Sequence, residues 1–166
     1  GFKKLYVIAH SMGGLVTRRA ILNLDEDEKS RDMVGLYMTF ASPLGGHFAV
    51  KWGLKFSPEP VPSWIDLEPG SEFIASISKP LPRRFPYYLM LGFHRGDSVF
   101  MPSSSDSTVP VLAQLPMWAQ RDAVRMWGFD ADHMQILAQE EPVAIFLDIL
   151  DTTYEAAAEA QETATP

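Results

Sequence analysis

Cysteine is absent from this sequence. Its absence excludes a disulfide framework, thiol catalysis and cysteine-ligated zinc, yet leaves the compartment open, because exported proteins can also lack cysteine. Positive charge is scarce: 14 Lys and Arg stand against 21 Asp and Glu, for a formal net charge of −7. No nucleic-acid partner is expected, since phosphate binding rests on clustered cations. Long apolar runs are missing too. None approaches the roughly 20 residues that cross a bilayer, and the first residues lack the charged, apolar and small-residue order of a signal peptide. The lack of a signal or span in these residues favours the cytoplasm. The 4 histidines are scattered, without two on one helical face or a carboxylate at ligand spacing, so no metal and no cofactor are expected.

What is present suits one folded domain: 166 residues, 46% of them hydrophobic, can fill a core. Leu5-Tyr6-Val7-Ile8-Ala9 reads as a strand covered on both faces of a parallel sheet. Gly13-Gly14 follows, then a helix to Leu24 with Leu15, Val16, Ile21 and Leu22 as its packed positions. The run Asp25-Glu26-Asp27-Glu28 predicts a solvated loop, and Leu36-Tyr37-Met38-Thr39-Phe40 a second buried strand.

Residues 43–86 mix recurrent prolines with Phe48, Trp52, Phe56, Trp64 and Phe73, which predicts a cap-like excursion folded onto the sheet rather than a linker. Tyr87 to Gly92 and Val124 to Trp127 read as the third and fourth strands, with the Ser103–Ser107 cluster a loop between them. Val143, Phe146, Leu147 and Leu150 have the spacing of a helix with one buried face, starting at Glu141-Pro142. Residues 151–166 are expected to fray. Strands alternating with helices indicate an α/β architecture. The strand beginning within a few residues of Gly1, and a sheet this narrow, predict that residues 1–150 are the C-terminal part of a larger domain.

The chemistry is concentrated at Ala9-His10-Ser11-Met12-Gly13, a strand-to-helix junction matching the G-x-S-x-G elbow with Ala9 for the first glycine. A nucleophilic serine must be lifted out of the sheet on a sharp turn, and small residues on either side, Ala9 and Gly13, let strand and helix approach. The N–H of Met12, at the helix start, is placed for a developing oxyanion. The competing reading makes Ser11 an ordinary N-cap. His10 is too close in sequence to serve as base, so a packing or supporting role is expected. A base and an orienting acid should follow in the order Ser, acid, His. His133 is the candidate base and Asp106 the favoured acid. Asp97 is the second candidate for the acid, Asp130 and Asp132 are expected to position the histidine loop, and His47 and His94 are read as solvent-facing loop histidines, with lining the site the alternative for His47.

Ile8-Ala9-His10-Ser11-Met12-Gly13-Gly14-Leu15-Val16, Ala41-Ser42-Pro43-Leu44-Gly45-Gly46-His47, Asp66-Leu67-Glu68-Pro69-Gly70-Ser71-Glu72-Phe73 and Ser105-Asp106-Ser107-Thr108-Val109-Pro110 together resemble α/β-hydrolase lipases and esterases. The nearest likeness is to the GPI inositol-deacylase-like and lecithin:cholesterol acyltransferase-like branch, over roughly residues 3–150. The resemblance implies an α/β-hydrolase fold lacking its N-terminal strands, a Ser11, Asp106, His133 triad, and a small-molecule or lipid ester substrate. Ala9 departs from the usual glycine, and Ser107 stands where this branch often has glycine. In this fold an early loop supplies the second oxyanion donor, and Met12 is the one donor these residues offer. The expected activity is serine-dependent ester hydrolysis through an acyl-enzyme. An acyltransferase with the same residues, or a noncatalytic hydrolase-like interaction domain, are the alternatives.

Overall fold

The computed structural model describes residues 4–47, 65–94 and 104–163. Most of the excursion's aromatic residues, and Asp97, lie outside them. Four strands form one sheet in the order β1 (Leu5–His10), β2 (Val34–Phe40), β3 (Tyr87–Phe93) and β4 (Arg125–Asp130), every neighbouring pair parallel. β2 is buried almost throughout, because both faces of the sheet are covered.

On one face lie α1 (Met12–Asp25), α2 (Glu72–Ile77) and α4 (Met117–Asp122), whose Leu15, Ile21, Leu22, Ile74, Ile77 and Ala119 pack with Tyr37, Tyr87 and Leu89 of the sheet. The other face is covered by α5 (Glu140–Thr163), where Ile145, Phe146, Ile149 and Leu150 meet Leu36, Met38, Phe40 and Met90. Helix spacing was the right signal for α5, but it selected a rotated stripe: Leu147 is 50% exposed and Ile149 only 8%. Both stripes fit a helical period, so periodicity alone does not choose between them. Likewise Val16 points outward, at 59% exposure.

Beyond Asp151, where composition predicted fraying, α5 continues as helix to Thr163; its Ala and Glu are strong helix formers even where little packs against them. β4 also runs on past Trp127, where the sequence pattern ends the strand, to Asp130, since Gly128 and Phe129 pair with Leu91 and Gly92 of β3. α2 and α4, with the single turn α3 (Val111–Gln114), were not foreseen as separate elements. The Pro69-Gly70-Ser71 motif has a local cause: Gly70 takes φ 85, and Ser71 then caps α2 by accepting the N–H of Ile74 at 3.2 Å.

Two contacts set the angle at which α1 leaves the sheet. Gly14 abuts β2 so closely that an added Cβ would lie 2.7 Å from Ser42 Cβ and 3.2 Å from Thr39 Cγ2. The buried Tyr37 hydroxyl donates to the Gly14 carbonyl at 2.6 Å, and its ring stacks on Tyr87 with centroids 4.8 Å apart. Further along α1, Arg18 is fully buried. It is held by Asp122 at 2.5 Å and by the carbonyls of Ile77 and Lys79, and its guanidinium lies 4.4 Å from the Trp118 ring. Among the described residues, no helix is long and apolar enough to cross a membrane.

Candidate active site

Ser11 occupies the single residue between β1 and α1, with φ 55 and ψ −133. A positive φ is costly for a residue bearing a Cβ and persists only where the surroundings enforce it. Here the Ser11 N–H is held by the Phe40 carbonyl at 2.9 Å, and the Ser11 carbonyl accepts from Gly14 N at 3.1 Å. The side chain makes no capping hydrogen bond to the helix. Ser11 Oγ instead lies 2.9 Å from His133 Nε2, so the N-cap alternative does not describe this serine. Of the neighbouring small residues, Gly14 carries the tight approach. A Cβ on Gly13 would meet only Ala9 Cβ, at an ordinary 3.9 Å.

His133 follows the end of β4 and is gripped by its backbone as well as its ring. Its N–H donates to the Asp106 carbonyl at 2.8 Å, and its Nδ1 lies 2.8 Å from Asp106 Oδ2. An ionised carboxylate only accepts, so this contact places the imidazole proton on Nδ1 and leaves Nε2 free to accept from the Ser11 hydroxyl. Asp132, as expected, shapes the histidine loop: its Oδ1 accepts the N–H groups of Met134 and Gln135 at 2.9 and 2.8 Å. Those bonds, Gln135 foremost, hold its carboxyl below the usual carboxylate range. Asp130 extends toward His94, 3.3 Å from its Nδ1.

Asp106 is fully buried, and both oxygens are engaged. Oδ1 accepts from Thr108 N at 2.9 Å and Val109 N at 2.5 Å, closing a tight Asx-type turn. Ser107, within that turn, has φ 72, which explains why a glycine would suit the position. Oδ2 takes His133 and lies 3.4 Å from Gln114 Nε2. Gln114, only 1% exposed, also binds both main-chain groups of Gly92: Oε1 accepts its N–H at 3.1 Å and Nε2 donates to its carbonyl at 3.0 Å. Sequence reasoning missed Gln114, because a glutamine in a short helix carries no signal until the fold buries it.

Among the other histidines, His47 is half-buried, and its Nε2 reaches the Thr108 carbonyl at 2.7 Å. It joins the loop after β2 to the acid loop, rather than facing solvent as expected. His94 is exposed, in keeping with its reading as a loop histidine, and its N–H binds the Ser105 carbonyl at 2.7 Å. His10, expected to support or pack, lies with its ring centroid 4.6 Å from that of His133 and its Nε2 2.8 Å from the His133 carbonyl. Burial pushes the His10 imidazole below its ordinary range, which favours its neutral form. Among the described residues, no cluster of His, Asp and Glu could hold a metal ion. Ser11, His133, Asp106 and the start of α1 thus meet at the C-terminal ends of the parallel strands, where ligand sites of open α/β sheets lie.

Comparison with known proteins agrees with this framework. Residues 1–59 match the family described as "Putative serine esterase (DUF676)". No curated protein sequence matches the chain. Among solved structures, the mature lipase BlEst2 of Bacillus licheniformis is similar over 89% of this chain and 66% of its own, with a TM-score of 0.64 and 14% identity. The lin2722 gene product of Listeria innocua is similar over 88% of this chain and 57% of its own, with a TM-score of 0.53 and 16% identity. The chain therefore spans no more than about two thirds of the length of either. The narrower likeness to the deacylase-like and acyltransferase-like branch rests on the sequence motifs alone. The parallel sheet, its flanking helices and these structural neighbours give this chain the α/β-hydrolase fold.

Proposed function

We propose that this chain hydrolyses carboxylic esters with Ser11 as nucleophile, His133 as general base and Asp106 as the group that orients it. The carrying observation is the 2.9 Å contact between Ser11 Oγ and His133 Nε2, made from a serine held at positive φ and free of any capping bond. The esterase family match over the first 59 residues, which include the serine turn, supports the same reading.

In the reaction, His133 Nε2 takes the hydroxyl proton as Ser11 Oγ attacks the ester carbonyl carbon. The carbonyl oxygen becomes an oxyanion. Met12 N–H, a first-turn donor without an intrahelical acceptor, is the donor assigned to it. The tetrahedral species collapses as the imidazolium returns the proton to the departing alcohol, leaving an acyl group on Ser11. Water then repeats the sequence, with His133 as base, and the carboxylic acid leaves while Ser11 regains its proton. Throughout, Asp106 accepts the hydrogen bond from His133 Nδ1–H, without taking that proton, and stabilises the transient imidazolium. All groups required for proton movement are side chains of this chain, and no cofactor enters the scheme.

The test is Ser11→Ala in the full chain, with hydrolysis of nitrophenyl acetate and labelling by a fluorophosphonate as readouts. Both should disappear while the circular dichroism spectrum is retained. Undiminished labelling would place the nucleophile elsewhere. A folded wild-type chain that neither turns over the ester nor reacts with the probe would favour the noncatalytic alternative.

A further inference from the structure

We propose that His10 is a positioning residue for His133, donating its Nε2–H to the His133 carbonyl and so holding the proposed base by its main chain; the inference rests on that role for His133. The two residues are 123 positions apart in the sequence, yet their rings lie 4.6 Å apart and the Nε2 to carbonyl distance is 2.8 Å. A carbonyl oxygen only accepts, so the proton must sit on His10 Nε2. In a neutral ring Nδ1 is then bare, the opposite tautomer from the one Asp106 imposes on His133.

The geometry gives this bond a specific job. His133 is held at its N–H by the Asp106 carbonyl and at Nδ1 by the Asp106 carboxylate. Both of those holds come from one residue, about which the histidine could still swing. The His10 bond adds a third point from a different element, the end of β1, where the next residue is Ser11 itself. The His10-Ser11 dipeptide therefore meets His133 twice, through its carbonyl and through Nε2. A displacement of β1 relative to the histidine loop would move both contacts together. A neutral His10 also keeps a second positive charge away from the imidazolium that forms in the reaction. Misplacement of reacting groups by an ångström can cost on the order of a hundredfold in rate.

Two measurements on the full chain test the proposal. Imidazole 15N shifts of the wild-type protein, with the His10 signals assigned by their loss in His10→Gln, should show His10 protonated at Nε2 and bare at Nδ1. Protonation at Nδ1 with Nε2 bare would overturn it. Separately, His10→Phe keeps a ring but removes the donor, and His10→Gln keeps an N–H at similar reach. The Phe variant should lower kcat for nitrophenyl acetate by roughly tenfold to a hundredfold with KM changed by less than about twofold, while the Gln variant stays within about threefold of wild type. A folded Phe variant with wild-type kcat, or a Gln variant as slow as the Phe variant, would refute the positioning role. If the Phe variant does not fold, the wild-type tautomer decides the matter. An inactive wild type would overturn the ester-hydrolase reading instead, and the tautomer would still report whether His10 holds the carbonyl.

Discussion

Val109 donates its main-chain N–H to Asp106 Oδ1 at 2.5 Å, while the other oxygen of that carboxylate faces His133 Nδ1 at 2.8 Å. The carboxylate is thereby clamped on one side by the acid loop's backbone and presented on the other to the imidazole. Asp106→Asn puts an N–H₂ group at one of two positions surrounded by donors. With the amide nitrogen toward His133, the imidazole must move its proton to Nε2, and it can no longer accept from Ser11. We expect kcat to fall by about ten thousandfold, the scale known for loss of the orienting carboxylate in serine hydrolases. Steady-state ester kinetics, with circular dichroism to verify folding, provide the check. A loss below about tenfold in a folded variant would remove Asp106 from the scheme.

The pair Gly13 and Gly14 offers a contrast in stability. Gly14→Ala drives a methyl group into Ser42 and Thr39 at the α1 to β2 contact. Overpacking of this kind costs about 1–3 kcal/mol. Gly13→Ala meets only Ala9 Cβ at 3.9 Å, and alanine is a better helix former than glycine by about 1 kcal/mol. Urea unfolding should show the first variant clearly destabilised and the second unchanged or more stable. The reverse order would mean that α1 does not sit as close to β2 as described.

Arg18 is fully buried against Asp122, whose side chain is 5% exposed and also accepts the Leu81 N–H at 3.0 Å. Asp122→Ala leaves the guanidinium without its counter-charge and Leu81 without its acceptor. Breaking one partner of a buried pair costs about 3–5 kcal/mol. The variant should unfold at markedly lower urea, yet react with a fluorophosphonate at an undiminished rate per folded molecule, because Asp122 touches none of the groups around Ser11. A change of under about 0.5 kcal/mol would contradict the buried pairing.

The parts of this structure legible in the sequence are those set by local pattern. β2 is a short β-rich run that is covered on both faces. β1 reads correctly as a strand but not as one covered on both faces, since it stands at the end of the four-strand order with Ile8 42% exposed. The serine turn is a compact motif whose residue types follow from its backbone. Asp106 and His133 were placed by chain order, and the fold brings them together across a sequence separation of 27. What could not be read depends on contacts between distant segments. The choice of Ile149 over Leu147 as the buried position is made by the sheet face against which α5 packs. The interior place of Arg18 depends on Asp122, and nothing in the helix pattern of α1 announces it. His47 has the same history: its tie to Thr108 joins two loops that only the completed sheet brings side by side.

Gln114 gives the acid loop a further property. β2 leaves the sheet at Ala41, whose N–H makes the last bond to β3, at the Met90 carbonyl. In a parallel ladder the next groups of β3 facing that side belong to Gly92, and these are the two that the Gln114 amide satisfies. One side chain thus stands in for the strand that has departed, splicing the loop into the lattice of the sheet. The carboxylate's distance from the serine turn is thereby gauged by interstrand spacing, a constant of the backbone.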